Sequence, residues 1–442
     1  MTRRYINTLI AIAILVALWF SFNAWNKHKN SEQAAKKQPA QKVVALNSSQ
    51  INSFTVTARD GTSFTCAKQG NTWSITKPQA ITADQGKVAS FLQSLTSAGL
   101  DQVISPHPAN LKDFGLDPPD ETIQISSRGK QLTLRLGDDT PTSTGVYAQA
   151  SDDPRVFTLT EDLKAALEKT LFDLRDTRAV TLDTSKLQRI QAKSGTESYT
   201  LVKNPDGAWD VSLPPDVRAD HFAVEDLVDN LQGLAMQSIV SEQKKDQASY
   251  GFAKPALTMT LVTPDASQTI AVGKKGSGGY YAMNSALNPV FTLDEGSVSQ
   301  FQKSAADLRD KSLFSWDMLD VKIFDVTTPS THWVFQHTGD KWRQTAPTSK
   351  AIPSDKADAL LSALRNLQAA SFPAAKPGEM AKFGFSNPSY TFKVQFGPKN
   401  QTQAVEVAES GGHIYARRAT DPLPCEVSKT DMATIENLMK QL

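Results

Sequence analysis

Apolar positions change their period in a fixed order, and they do so three times along the chain. Val88, Leu92 and Leu95 recur at spacings of three and four, as do Val224, Leu227, Leu231 and Leu234, and then Leu360, Leu364 and Leu367. That spacing marks one face of a helix, so each stripe predicts a long helix with its apolar side turned to a core. Thr82, Asp220 and Ser354 stand just before the stripes, where a side-chain oxygen can cap the free amides of a first turn. Downstream the period falls to two. Ile123 and Ile125 precede Leu132, Leu134 and Leu136; Leu257, Met259 and Leu261 precede Ile270 and Val272; Phe392, Val394 and Phe396 precede Val405 and Val407. Such alternation, broken by polar turns such as Ser127-Arg128-Gly129, specifies hairpins buried on one face. No crossover pattern for a parallel sheet is present. The expected fold is α+β: an antiparallel sheet with one long helix packed on it and a second short helix closing it.

The three rounds are copies of one module. Trp73-Ser-Ile-Thr-Lys-Pro78 recurs as Trp209-Asp-Val-Ser-Leu-Pro214 and Trp342-Arg-Gln-Thr-Ala-Pro347. Gly115, Gly251 and Gly384 each follow their Trp by 42 residues, and each is preceded by Phe or Tyr. Tyr147-Ala148, Tyr281-Ala282 and Tyr415-Ala416 come next, 134 residues apart. Val156-Phe157-Thr158-Leu159 matches Val290-Phe291-Thr292-Leu293, whereas the third copy has Pro424-Cys425-Glu426-Val427, which places Cys425 at a core Phe position. The first two copies end in Leu174-Arg175-Asp176 and Leu308-Arg309-Asp310; the third stops at Leu442 without that element and reads as truncated. Repeats of domain size give modules over 47–179, 180–318 and 319–442.

Ahead of the modules, Tyr5 to Trp25 contains an unbroken apolar run from Leu9 to Phe20 with aromatic residues at its ends. As a helix this stretch is about 31 Å long, enough to cross a hydrocarbon core of roughly 30 Å once. No small-residue cleavage site or lipobox cysteine follows, so residues 1–25 read as a short cytoplasmic head and an uncleaved signal anchor, with a cleaved signal peptide as the alternative. Residues 26–46, polar and rich in Lys, Gln and Ala, read as a tether. Lysines follow the span as arginines precede it, so the positive-inside count is silent on orientation. The short head and the scarcity of cysteine place the body outside the cytoplasm, giving a single-pass protein of the inner membrane with its bulk in the periplasm.

Composition removes several function classes. With 47 basic and 46 acidic residues there is no charge excess to attract nucleic acid or anionic lipid, and 40% apolar residues suffice for ordinary cores. Cys66 and Cys425 are the only cysteines, too few for a disulfide framework or a four-cysteine zinc site. A Cys66–Cys425 bridge is not expected, because both residues occupy apolar strand positions.

Candidate chemistry is sparse. The histidines His28, His107, His221, His332, His337 and His413 form no HExxH or paired-ligand motif, and His332 and His337 fall on opposite faces of one strand. The glycine-rich run from Gly273 to Gly279 lacks the Gly-Lys-Ser/Thr ending of a phosphate loop and falls at a hairpin turn. Asp138-Asp139 and Asp152-Asp153 sit near turns of the first module without counterparts elsewhere, which suits solvated acids better than a catalytic pair. The recurring Trp, Pro, Gly and Tyr suit structure: Trp and Tyr fill a small core, Gly permits positive φ, and Pro ends strand pairing. Arg175-Asp176 and Arg309-Asp310 are candidate module-junction pairs.

The array of W-x4-P, helix, F/Y-G-[LF]-x2-P, paired strands and Y-A resembles the bacterial DUF4340 family of unknown function over nearly everything after the tether. That resemblance implies a single-span envelope protein, often associated with ABC transporter components of the gliding-motility type, and it implies no catalytic residues. The expected function is a noncatalytic extracytoplasmic accessory or scaffold protein, without cofactor or metal, whose partners are the membrane and protein subunits of an envelope transporter. The alternative is a multivalent array binding soluble ligand or cell-wall glycan, in which equivalent aromatics would line a cleft in every module. A further expectation is that Trp73, Trp209 and Trp342 are each largely buried against their own long helix.

Overall fold

The computed structural model describes residues 41–212, 216–339, 341–376, 378–421 and 423–442. The expected anchor over residues 5–25 and the tether up to residue 40 lie outside them, as does Pro214. No helix among the described residues is long and apolar enough to cross a membrane. The chain divides into two compact units at Thr177/Arg178, and the second unit carries two modules.

The first module shows how the sequence pattern becomes a sheet. β1 (Ile51–Ala58), β2 (Ser63–Gln69) and β3 (Thr72–Lys77) form a meander that ends in β4 (Ile81–Thr82). Phe54 faces Cys66 on one neighbour and Ile125 on the other, so a single pleat face collects the apolar side chains. Helix α1 (Gln85–Ser97) then lays Val88, Phe91, Leu92 and Leu95 on that face. β5 (Val103–Ser105) follows, and the chain returns through β6 (Glu121–Ser127), β7 (Lys130–Asp139), β8 (Gly145–Ala150) and β9 (Val156–Thr160). Strand order is β4-β3-β2-β1-β6-β7-β8-β9-β5, antiparallel at each pairing, and the other two sheets repeat this nine-stranded order. α2 (Glu161–Leu167) and the single turn α3 (Leu171–Leu174) close the module.

Three tandem α+β modules result. The second has long helix α4 (His221–Gln232) and closing helix α5 (Glu295–Gln300); the third has α6 (Ser354–Arg365) and α7 (Lys429–Met439). Equivalent positions pair alike: Ile190 faces Leu201 and Leu261, and Phe324 faces Phe335 and Val394. Cys66 therefore stands where Leu201 and Phe335 stand. Cys425 pairs with Ala416 as Phe157 pairs with Ala148 and Phe291 with Ala282. Both thiols are free and buried, and burial pushes each up to about 12.

Several sequence expectations need correction. The third module is not truncated within its fold, because α7 is an 11-residue closing helix that buries Met432 and Ile435, longer than α2 or α5. Val43 and Val44, assigned to the tether, are buried in the first core, where the incoming chain pairs with the segment leaving α1 through Lys42 and Gly99. Ala179 likewise belongs to the second core, and Leu313, Phe314 and Trp316 to the third, so these cores begin upstream of residues 180 and 319. Two or three apolar residues carry no period, so these short incoming segments leave no signal in the sequence. The cap of α1 is Asp84, whose Oδ1 accepts from the Gly86 and Lys87 amides, while Thr82 stays in strand pairing with Ser74. α4 is capped by Asp220 as expected, but α6 follows Pro353 with Ser354 as its first residue.

The tryptophans divide. Trp342 is 3% exposed, lies edge-on to Phe324 at 5.2 Å, and donates from Nε1 to Asp358 of α6 at 3.1 Å. Trp73 is buried against Phe54 at 5.7 Å, and both its backbone polar groups bond the side chain of Gln85, the first residue of α1. Trp209 is only half-buried, with the Lys203 ammonium 5.8 Å from its ring centre. Ile190 stands where Phe54 and Phe324 place a ring beside the other two indoles, so Trp209 lacks that contact. Truncating Trp342 to Ala should cost about 3–5 kcal/mol, whereas Trp209→Ala should cost on the order of 1–2 kcal/mol. Thermal melting with limited proteolysis measures both, and equal losses would contradict this ranking.

Candidate functional site

The recurring motifs converge on one structural knot per module. After the long helix the chain makes a 3₁₀ turn, at Leu111–Phe114, Gln247–Tyr250 and Met380–Phe383, and each turn ends in the motif glycine. Gly115, Gly251 and Gly384 have φ of 64°, 85° and 86°. A Cβ there would also meet the neighbouring strand, at 2.6 Å from the Asp138 amide, 2.8 Å from the Lys274 amide and 2.7 Å from the Glu409 carbonyl. Glycine is needed for both reasons. The aromatic residue before it packs on the tyrosine of the Tyr-Ala motif: Phe114 on Tyr147 at 5.3 Å, Tyr250 on Tyr281 at 4.9 Å, and Phe383 on Tyr415 at 5.0 Å. Pro78 and Pro347 follow the last residue of their Trp strands, each after a cis peptide bond.

The Leu-Arg-Asp elements close the module by reaching back to the long helix. Leu174 O accepts from the Asp84 amide at 2.9 Å, and Leu308 O from the Asp220 amide at 2.8 Å. Arg175 bridges Ala83 and Arg309 bridges Ala219, while the Asp176 and Asp310 amides donate to Thr82 and Arg218. The equivalent residue in the third module is Pro353, which has no amide hydrogen to offer.

Between the second and third modules Arg309 and Asp310 enter a cluster of charges. Asp310 accepts from Arg218 at 2.5 Å and lies 3.4 Å from Arg418; Asp421 lies 3.2 Å from Arg418 and 3.7 Å from Arg309. Arg418 also donates to the Ser312 carbonyl at 2.7 Å, and the buried Arg309 guanidinium lies 3.8 Å from the centre of the Phe372 ring. Burial pushes the Arg309 and Arg218 guanidiniums down, with Asp421 and Asp310 opposing it. Leu423 of the third module is buried in the core of the second. Arg218, Arg418, Asp421 and Leu423 carried no repeat signal, because they stand outside the shared motifs; Arg418 occupies the position of Asn284 and Ala150.

The remaining polar candidates fall apart. His337 stacks on Trp342 at 4.6 Å and His332 is exposed. Gly276 and Gly279 flank a hairpin turn. Asp138 and Asp139 end β7 and pair with Arg59 and Lys164, and Asp153 pairs with Arg155. No group of His, Cys, Asp and Glu among the described residues could hold a metal ion. Glu121 leaves no signal in the sequence pattern: its side chain is buried on β6, with Oε1 unbonded among the described residues. Burial first, then the charge of Glu168, raises its carboxyl to about 8.

The architecture defines a tandem array of α+β modules whose shared residues build the fold. The chain belongs to the family described as "Domain of unknown function (DUF4340)", which matches residues 73–213, 209–388 and 342–440. A search of curated proteins finds no match.

Two expectations follow. Glu121 stays protonated in the fold to about pH 8, whereas in the unfolded chain it ionises near 4.5, so its first-module unit should lose stability as pH rises between those values. Glu121→Gln should flatten that slope in melting curves taken across it. At the junction, Asp421→Ala leaves Arg309 and Arg418 buried with less countercharge and should cost about 3–5 kcal/mol. Its melting curve should resolve the second and third modules into separate transitions.

Proposed function

We propose that this protein is a noncatalytic extracytoplasmic scaffold, anchored in the inner membrane by residues 5–25 and working beside an ABC-type transporter. The observation that carries the reading is the use made of the repeated residues. Each of the described repeat markers is engaged in core packing, a turn or a strand end, which leaves the array a spacer and docking frame. The apolar run from Leu9 to Phe20 supports the anchor, and the family's association with transporter components supports the partner. Burial of Trp73 and Trp342 in separate cores removes the main support for an aromatic glycan platform repeated in each module. Affinity purification of the full chain in mild detergent should recover transporter subunits in stable proportion. Recovery of the chain alone, under conditions that keep other envelope complexes whole, would overturn the reading.

A further inference from the structure

The charge cluster between the second and third modules holds more cation than its ion pairs use. Arg218 stands in register where the other modules have Thr82 and Ala351, as Arg418 stands where they have Ala150 and Asn284. The junction thereby gains two guanidiniums that no shared motif requires. Arg218, Arg309 and Arg418 share only Asp310 and Asp421 in ion pairs. Asp216 stands beside them and accepts instead from the Ser212 hydroxyl at 2.8 Å. After burial, the like charge of Arg418 also pushes the Arg218 guanidinium down, which marks the two cations as near neighbours.

Next to this surplus lies a cavity of about 180 Å³, whose wall includes Arg218, Arg418, Thr402 and Thr420 and no carboxylate. Arg418 is already engaged: it donates to the Ser312 carbonyl at 2.7 Å and lies against Asp310 and Asp421. Arg218 is not, because its ion pair uses Nη2 alone, at 2.5 Å from Asp310, and leaves Nε and Nη1 without a partner among the described residues. The hydroxyls of Thr402 and Thr420 are likewise unengaged there. Open donors from two modules around an acid-free cavity suit an oxyanion, which a guanidinium binds through paired N–H groups. Volume limits its size: pockets for drug-sized ligands begin near ~300 Å³, so a single phosphate group fits and a nucleotide does not. A tetrahedral anion also offers oxygens to donors arriving from several sides, whereas a carboxylate offers them in one plane.

We propose that this cavity binds a phosphate group, held by Arg218, Thr402 and Thr420 with the charge of Arg418 behind them. Bound phosphate bridges the second and third modules where their arginines meet, and so adds to the Asp310 and Asp421 pairs. The site requires neither the membrane anchor nor the transporter.

Equilibrium dialysis of the full chain in nonionic detergent, against radiolabelled inorganic phosphate at about 0.15 M sodium chloride, reads the site directly. Saturable binding with a Kd of about 1 mM or below is expected, weakened about tenfold or more in Arg218→Gln and in Thr402→Glu. Thr402 is exposed and takes part in none of the junction's ion pairs, so the second variant brings negative charge to the cavity while the modules stay locked. Its melting curve without phosphate should match that of the parent chain. Competition then separates the sources of the group. Displacement by short-chain phosphatidic acid at about a tenth of the competing inorganic phosphate concentration assigns the site to a lipid headgroup, and the same advantage for glycerol 3-phosphate assigns it to a soluble phosphomonoester. Equal displacement by all three assigns it to free phosphate. Absence of saturable binding at about 10 mM phosphate, or binding kept in either variant, would overturn the proposal.

Discussion

The fold depends on one close approach, repeated three times: a left-handed glycine pressed against the backbone of the neighbouring strand. The chain leaves the long helix, pairs briefly at the far edge of the sheet, and must then return to its centre to lay a strand beside the first. A 3₁₀ turn ending in Gly115, Gly251 or Gly384 makes that return. Close contact lets the preceding aromatic ring reach the tyrosine of the eighth strand, and this in turn positions the second hairpin. Any side chain at the glycine would hold turn and strand apart, so the residue's identity follows from backbone geometry alone.

Around that constant knot the modules vary where they meet something else. The first two spend their closing segment on the long helix, through a hydrogen bond that Pro353 makes impossible in the third. The third spends Arg418, Asp421 and Leu423 on the second, locking the pair through buried charges that would be costly if left unpaired.

Most of this architecture was legible in the chain. The helix stripes, the alternating hairpins and the fixed Trp-to-Gly spacing each reflect a packing constraint strong enough to recur, and Cys425 at a Phe position followed from register alone. Features made by single side chains were not legible. Asp84 outcompetes Thr82 as a cap by lying outside the strand, Trp209 has Ile190 where the other two modules have a phenylalanine ring, and α7 runs to Met439 where the equivalent helices break earlier. The short edge strands at Val103–Ser105, Ser238–Ser241 and Ala369–Ser371 are too brief to show a period. Arg418 and Asp421 serve one junction only and leave no repeat to find.

The claim that the shared motif is structural is open to a comparison inside one module. Gly251 and Gly207 have nearly the same φ, 85° and 87°, but a Cβ at Gly207 meets nothing within 4 Å while one at Gly251 would stand 2.8 Å from the Lys274 amide. Both alanine substitutions carry the left-handed penalty of about 1–2 kcal/mol. Thermal unfolding of Gly251→Ala should show a loss well beyond that of Gly207→Ala, because the turn must also lift off the strand. Equal losses in the two variants would contradict the account, since the motif glycine would then be no more than a residue in a permissive turn.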